Sequence, residues 1–256
     1  MTDLFSLKGK VAIVTGGNGG IGKGIARGFA GVGADVVIAA RNAEKTAKAA
    51  AEIKKDFGVR VMEVEIKLKE EAEIQAMVKK IQDTLGRIDV LVNNAGINIR
   101  KMPQDLAAAD YDEVLNTNLR AAFLLCKAVY PAMKKAGGGK IINIGSMTSI
   151  FGGAKLLPYG TSKGGIVAMT RALAMAWAPD NIQVNSILPG WIDTEMTQRA
   201  RVELEGLNER VLARTPVGRW GRPEDMAGTA IYLATAASNF ITGVSLPVDG
   251  GYSISI

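Results

Sequence analysis

The sequence predicts a doubly wound α/β fold built on a parallel sheet of seven strands, and three observations predict it. Short, almost wholly apolar runs alternate with segments of helical periodicity along the 256 residues. The runs lack the in-out alternation of a half-exposed sheet, as expected when helices cover both faces. A glycine-rich turn, "TGGNGGIGKG", follows the first run and opens the first helical stripe, which is where an α/β sheet holds a phosphate.

Each element follows from its own pattern. "KVAIVTG" is the first strand, and Ile21, Ile25 and Phe29 form the apolar stripe of the helix after it. "ADVVIAA" and "VRVMEVEI" are the second and third strands, followed by helices in "NAEKTAKAAAEIKKDF" and "KEEAEIQAMVKKIQDTLG". "IDVLVNN" is the fourth strand, and one long helix from Asp110 to Lys135 follows it. "KIINIGS" is the fifth, leading through the loop "MTSIFGGAKLLP" into a helix from Tyr159 to Ala178. After the sixth strand, "IQVNSILPG", residues 191 to 215 turn polar and amphipathic with no strand. An insertion at a strand end lies over the ligand crevice of an open α/β sheet, so this segment reads as a small helical substrate lid. The helix "RPEDMAGTAIYLAT" and the strand "GVSLPVDGG" complete one domain, with no Pro/Ser-rich linker to divide it.

Composition narrows the chemistry. Apolar residues make up 48% and no low-complexity run accompanies the 30 glycines, so the chain is globular. No segment approaches ~18 uncharged apolar residues and the start has no apolar leader, which predicts a cytoplasmic protein without a membrane span. The lone cysteine, Cys126, excludes an intrachain disulfide and reads as buried filler. No histidine is present, which excludes Ser-His-Asp and Cys-His nucleophiles and His-ligated metal sites, so no metal is expected. Proton chemistry must run on Tyr, Lys, Asp or Glu. The formal charge of +6 is spread without a basic run, so no nucleic-acid partner is expected.

The glycine-rich turn fits two phosphate loops. Gly17 to Lys23 satisfies G-x-x-x-x-G-K, and Gly17, Gly19 and Gly22 satisfy G-x-G-x-x-G. A triphosphatase loop needs Ser or Thr after the lysine to hold Mg²⁺, and Gly24 stands there. The strand that should end in a metal-binding Asp ends in Asn93 and Asn94. The dinucleotide reading needs a strand before and a helix after, and both are present.

Counted from Thr15, the loop is T-G-x-x-x-G-x-G through Gly16, Gly20 and Gly22, and it resembles the cofactor loop of the short-chain dehydrogenase/reductase family. "NNAG" at Asn93 to Gly96, "NIGS" ending at Ser146, "YGTSK" at Tyr159 to Lys163, Pro189-Gly190 and "VDGG" look like that family's further motifs in its order. The resemblance covers nearly the whole chain and implies a Rossmann-type sheet, hydride transfer between a nicotinamide and a ketone or secondary alcohol, and commonly a homotetramer. The apolar ending "VSLPVDGGYSISI" suits such an interface.

Tyr159 and Lys163 are four apart on a helix and share a face. A phenol with pKa near ~10 is a poor base at neutral pH, and a neighbouring ammonium favours its phenolate. The resemblance makes Tyr159 the general acid/base and Lys163 the residue that lowers its pKa and binds the nicotinamide ribose. Ser146 has no histidine to activate it and serves better as a hydrogen-bond donor to the substrate oxygen. Asn118, directly before Leu119, resembles the family's fourth catalytic residue, which holds a water in a proton relay. Asn116, two residues away, points elsewhere on a helix.

Cofactor choice is read at the end of the second strand. An NAD site places Asp or Glu there and an NADP site avoids that charge and offers Arg. Here Ala40 is followed by Arg41, so NADP(H) is expected, with Arg41 on the 2′-phosphate, Asn42 and Asn18 as helpers, and NAD(H) as the second choice. Thr15, Gly16, Gly20, Ile21 and Gly22 belong to the pyrophosphate turn. By resemblance Asn93, Ala95 and Gly96 surround the adenosine ribose, and Pro189, Gly190, Ile192 and Thr194 the nicotinamide. Where the family usually carries an Asp on the adenine, this chain has Lys67-Leu68, and Lys67 cannot accept from the adenine amino group.

Arg100 and Lys101 follow "NNAG", and Lys155 precedes Tyr159. Three cations at one mouth favour an anionic substrate. The region looks like that of gluconate and deoxygluconate dehydrogenases, which points to a sugar acid or related polyol. A 3-oxoacyl carrier-protein reductase is the alternative within the family, and a non-catalytic NADPH-binding sensor or scaffold the alternative outside enzymes.

Overall fold

The computed structural model describes residues 4–255. Seven strands form one parallel sheet in the order β3-β2-β1-β4-β5-β6-β7: β1 Val11–Thr15, β2 Asp35–Ala40, β3 Val61–Glu65, β4 Val90–Asn93, β5 Gly139–Ile144, β6 Ile182–Pro189 and β7 Ser245–Val248. The fold class expected from the sequence is the one observed. The order reverses between β1 and β4, so a crevice opens beyond their carboxyl ends, where such sheets bind ligands.

Strand alternation divides the core in two. Ala12 and Val14 of β1, with Val36, Val90 and Ile142, meet α1 (Gly20–Gly31), α2 (Ala43–Phe57) and α9 (Ala227–Ala234) through Ile25, Phe29, Ile53 and Leu233. Val11 and Ile13, with Val37, Leu91 and Ile141, meet α3 (Glu71–Leu85), α5 (Ala121–Lys135) and α6 (Leu157–Trp177) through Ile74, Ile81, Leu125 and Met133. Apolar burial on both faces explains why the strands carry so few polar residues.

The helix expected over Asp110 to Lys135 is interrupted. An α-helix, α4, covers Ala108–Leu115, a π-helical turn covers Asn116–Arg120, and α5 follows. Such a bulge rotates the side chains beyond it relative to the helix before it. It leaves Asn116 exposed and buries Asn118 to 2%. Residues 191–215 hold two short helices, α7 (Glu195–Glu203) and α8 (Leu207–Arg214), packed on Trp191 and Trp220. Among the described residues no helix is long and apolar enough to cross a membrane. The apolar ending runs to Ile256, which lies outside the described residues, as do residues 1–3.

Candidate active site

The crevice is a cleft of about 520 Å³ over the carboxyl ends of β1, β2, β4, β5 and β6, a size in the usual range for a small-molecule site. Its floor is the glycine turn. Gly16, at φ 65, needs the left-handed backbone that glycine tolerates. A Cβ on Gly22 would lie 2.4 Å from the Gly16 carbonyl oxygen, so α1 can start against the turn only with glycine there. Asn18, Gly19, Gly20 and Ile21 line the cleft beside Gly16 at the amino end of α1. That cradle, rich in glycine and set at the positive end of a helix, fits a pyrophosphate.

Two sequence-predicted contacts turn away from the cleft. The Thr15 hydroxyl donates to the Val92 carbonyl (3.2 Å) and accepts from the N–H groups of Asn94 and Ala95 (3.0 Å each). At 1% exposure Thr15 fastens β1 to β4 and touches no ligand space. Asn93, expected at the adenosine ribose, points its amide into the core, donating to Asn143 Oδ1 (2.8 Å) and Cys126 Sγ (3.2 Å). Alternation along β4 gives the cleft to the next residue, Asn94, beside Ala95 and Gly96. Cys126 is buried filler, its thiol pushed up to about 12 by burial.

At the end of β2, Arg41 is exposed and lines the cleft, with no acid beside it. Asn42 Oδ1 caps α2 by accepting from the Lys45 N–H (2.8 Å), and Asn18 Nδ2 donates to Thr46 Oγ1 (3.0 Å). Both asparagines thus brace the turn that presents Arg41 by one end of the amide each, and both line the cleft. Lys45, one helical turn beyond Arg41, also lines the cleft and pairs with Glu195 of α7 at 2.5 Å. Its spacing from Arg41 is the signal by which it could have been found. Lys67 is exposed, while Ile66 and Leu68 beside it are buried and line the same wall, so an apolar surface stands where the family Asp is missing. Pro189, Gly190, Ile192 and Thr194 line the opposite wall.

Ser146, Tyr159 and Lys163 meet in this cleft. Ser146 ends the strand-loop junction after β5, and its Oγ accepts from the Thr148 N–H (3.1 Å). Pro158 starts the first turn of α6, which carries Tyr159 and Lys163 one turn apart. Lys163 Nζ donates to the Ile144 carbonyl (2.7 Å) and lies 5.6 Å from the Tyr159 ring centre. Burial lowers the Lys163 ammonium to about 8. Burial also raises the Tyr159 phenol, and the hydrogen bond to Ser146 and the Arg100 charge pull it back only in part. The Lys163 ammonium, 5.6 Å from the ring and held on Ile144, is placed to favour the phenolate, and the Arg100 charge acts in the same sense.

Asn118 is buried beside this group, and its side chain bridges two segments. Its Oδ1 accepts from the Ile97 N–H (2.8 Å), and its Nδ2 donates to the Ile97 carbonyl (2.9 Å) and Ser162 Oγ (3.1 Å). The amide fixes the loop after Gly96 against α6: both of its N–H donors are used, and its oxygen keeps one lone pair free. Of the expected cationic mouth, Arg100 is half-buried, Lys101 is paired with Asp110 (2.6 Å), and Lys155 is exposed outside the cleft lining. A second cavity of about 540 Å³ opens at the other end of the sheet, beside Lys10, Asp89 and Lys140, and holds none of these groups.

The chain matches the family model described as enoyl-(acyl carrier protein) reductase over residues 16–253. It is 39% identical to the 2-dehydro-3-deoxy-D-gluconate 5-dehydrogenase of Formosa agariphila over 255 residues, covering 99% of this chain and 96% of that one. It is also 39% identical to the 5-keto-D-gluconate 5-reductase of Escherichia coli over 256 residues, the whole of both chains. Among solved structures, a gluconate 5-dehydrogenase from Burkholderia cenocepacia in complex with NADP and tartrate superimposes with a TM-score of 0.94 at 37% identity, covering 99% of each chain.

Proposed function

The chain belongs to the short-chain dehydrogenase/reductase family, and from that premise we propose that it is an NADP(H)-dependent oxidoreductase of a sugar acid, reducing a ring-opened keto acid to the hydroxy acid or the reverse. The observation that carries this reading is the meeting of Ser146, Tyr159 and Lys163 in the cleft that also holds the glycine cradle and Arg41. The nicotinamide, when bound, supplies or accepts the hydride. Arg41 holds the 2′-phosphate, and the absence of an acid at the end of β2 removes the repulsion that this phosphate would meet. Gly16 and Gly20 let the backbone approach the pyrophosphate, while Lys163 reaches the ribose.

In the reducing direction, Ser146 donates a hydrogen bond to the carbonyl oxygen, and the phenol of Tyr159 gives its proton to that oxygen as charge develops there. Burial keeps the phenol protonated at neutral pH, which suits a donor. Asn118 acts at one remove, holding Ile97 and thereby the loop that bears Arg100. Helices α7 and α8 serve as a lid on a single domain. A homotetramer belongs to the reading and is supported by exposed Phe123 on α5 and by Phe240 and Ile254 beside β7. A cytoplasmic location belongs to the reading as well.

The test is a substrate panel with NADPH and with NADH. A keto-sugar acid such as 5-keto-D-gluconate is expected to give the fastest NADPH oxidation. Tyr159→Phe should lower kcat by at least ~10²-fold while NADPH still binds, and Arg41→Ala should erase the preference for NADPH over NADH. Turnover of a 3-oxoacyl thioester with none of sugar acids would favour the carrier-protein reductase. Binding of NADPH without oxidation on any carbonyl would mean a non-catalytic protein.

A further inference from the structure

Arg214, the last residue of α8, is half-buried in the corner between two aromatic rings. Its guanidinium carbon lies 5.0 Å from the Phe151 ring centre and 4.5 Å from that of Tyr252, and the two rings meet edge to face. Among the described residues it has no ion pair, and its Nε is buried without a hydrogen-bond partner. Arg201 of α7 also has its Nε buried without a partner and stacks on Trp220 at 3.9 Å, but its charge is neutralised by Asp193. The Arg214 Nε is therefore left without a partner beside rings that offset its burial only in part, while the terminal NH2 groups are not among the buried unpartnered atoms.

Arg214 stands outside the lining of the cleft, and three segments tie it to the loop that runs from Ser146 to Tyr159. Phe151 lies in the loop between Ser146 and Tyr159, and Ser149 ties that loop to α6 by donating to the Lys163 carbonyl (2.9 Å). Tyr252 follows Gly250, whose missing side chain leaves room for Thr215 next to Arg214. The other end of the lid, at Thr194, packs on Gly20 in the cofactor turn. The lid therefore runs from the cofactor loop to the loop that carries Phe151. Tyr159 lines the cleft and Arg214 stands outside that lining, so Arg214 is set back from the point of proton transfer. A keto acid places its carboxylate several carbons from the carbonyl that reacts, which calls for a cation set back in this way.

We propose that Arg214, steadied by Phe151 and Tyr252, is a substrate-binding residue that receives the carboxylate of the sugar acid through the edge of its guanidinium. The inference rests on the sugar-acid reading and adds the residue that selects the acid. A planar fork on a carboxylate is the strongest recognition a side chain offers.

The experiment compares kcat/KM for 5-keto-D-gluconate and for a neutral ketohexose, L-sorbose, in the wild type, Arg214→Gln and Arg214→Lys. The acid-over-neutral ratio should fall about 10- to 100-fold in Arg214→Gln, mostly through KM for the acid. Arg214→Lys, which keeps a charge over the rings, should recover part of it. NADPH affinity, read by fluorescence, should not change. A wild-type enzyme with no preference for the acid overturns the sugar-acid reading and the anchor with it. A preference that both variants retain overturns the anchor and leaves the reading standing. Equal losses on both substrates with weakened NADPH binding would make Arg214 a structural residue and also overturn it.

Discussion

Replacing Lys163 with methionine separates what this residue costs the fold from what it gives the reaction. Burial lowers its ammonium from 10.5 to about 8. Between those values the unfolded chain holds a proton that the folded chain has released, so folding stability rises with pH across that window. The penalty is fully present below about pH 8 and amounts to about 3 kcal/mol at 1.36 kcal/mol per unit. Methionine removes the penalty but deprives the Ile144 carbonyl of its donor, a loss of about 1–3 kcal/mol that does not depend on pH. At pH 7 the two effects oppose each other, and Lys163→Met should lie within about 2 kcal/mol of the wild type. The decisive quantity is how that difference changes with pH. From pH 7 to pH 10 the wild type should gain about 2–3 kcal/mol on the variant, since most of the penalty has gone by then. Urea unfolding without nucleotide at four pH values measures it, and other titrating groups cancel because both proteins carry them. A difference that stays flat within about 0.5 kcal/mol would refute the claim that Lys163 is held charged against its desolvation.

Two further outcomes follow from the same geometry. Asn118→Leu strips both backbone partners from Ile97, so it should cost about 2–3 kcal/mol in thermal or chemical unfolding and lower kcat together with substrate affinity; unchanged stability would mean that the loop holds itself. Gly22→Ala should weaken NADPH binding at least ~10-fold and destabilise by more than ~1 kcal/mol, because its Cβ meets the Gly16 carbonyl. Gly164→Ala, on α6 with nothing within 4 Å, is the control and should be neutral or stabilising by up to about 1 kcal/mol.

The sheet was legible because its physics is local: an apolar run between polar turns has little choice but a covered strand, and a glycine turn after the first run marks the switch point. Ser146, Tyr159 and Lys163 were legible for the same reason, since one ends a strand and the others share a helix face. The failures lie where one residue of phase or a distant partner decides. Thr15 and Asn93 stand at strand ends, where a one-residue shift moves a side chain from cleft to core. Asn118 sits in a π-helical turn that a smooth helical periodicity conceals, and its partner, Ile97, lies in a different loop. Lys101 looked like a free cation until the fold brought Asp110 to it. Arg214 could not be read at all, because Phe151 and Tyr252 meet it only after three separate segments have packed.

The absence of histidine makes the opposite shifts of Tyr159 and Lys163 consequential. Desolvation disfavours whichever form is charged, so the same burial raises the phenol and lowers the amine and brings the two values toward each other. At neutral pH the free enzyme then carries a protonated phenol beside a charged amine, which is the state required to deliver a proton to a forming alkoxide. The reverse reaction needs the phenolate, and in the free enzyme Ser146 and Arg100 lower its cost. An anionic substrate adds a negative charge to the site and offsets the help that Arg100 gives the phenolate. It does not hinder a neutral phenol that donates. Placing the carboxylate on Arg214, a cation that stands outside the cleft lining, lets the enzyme select an acid and leaves the Arg100 contribution to Tyr159 in place.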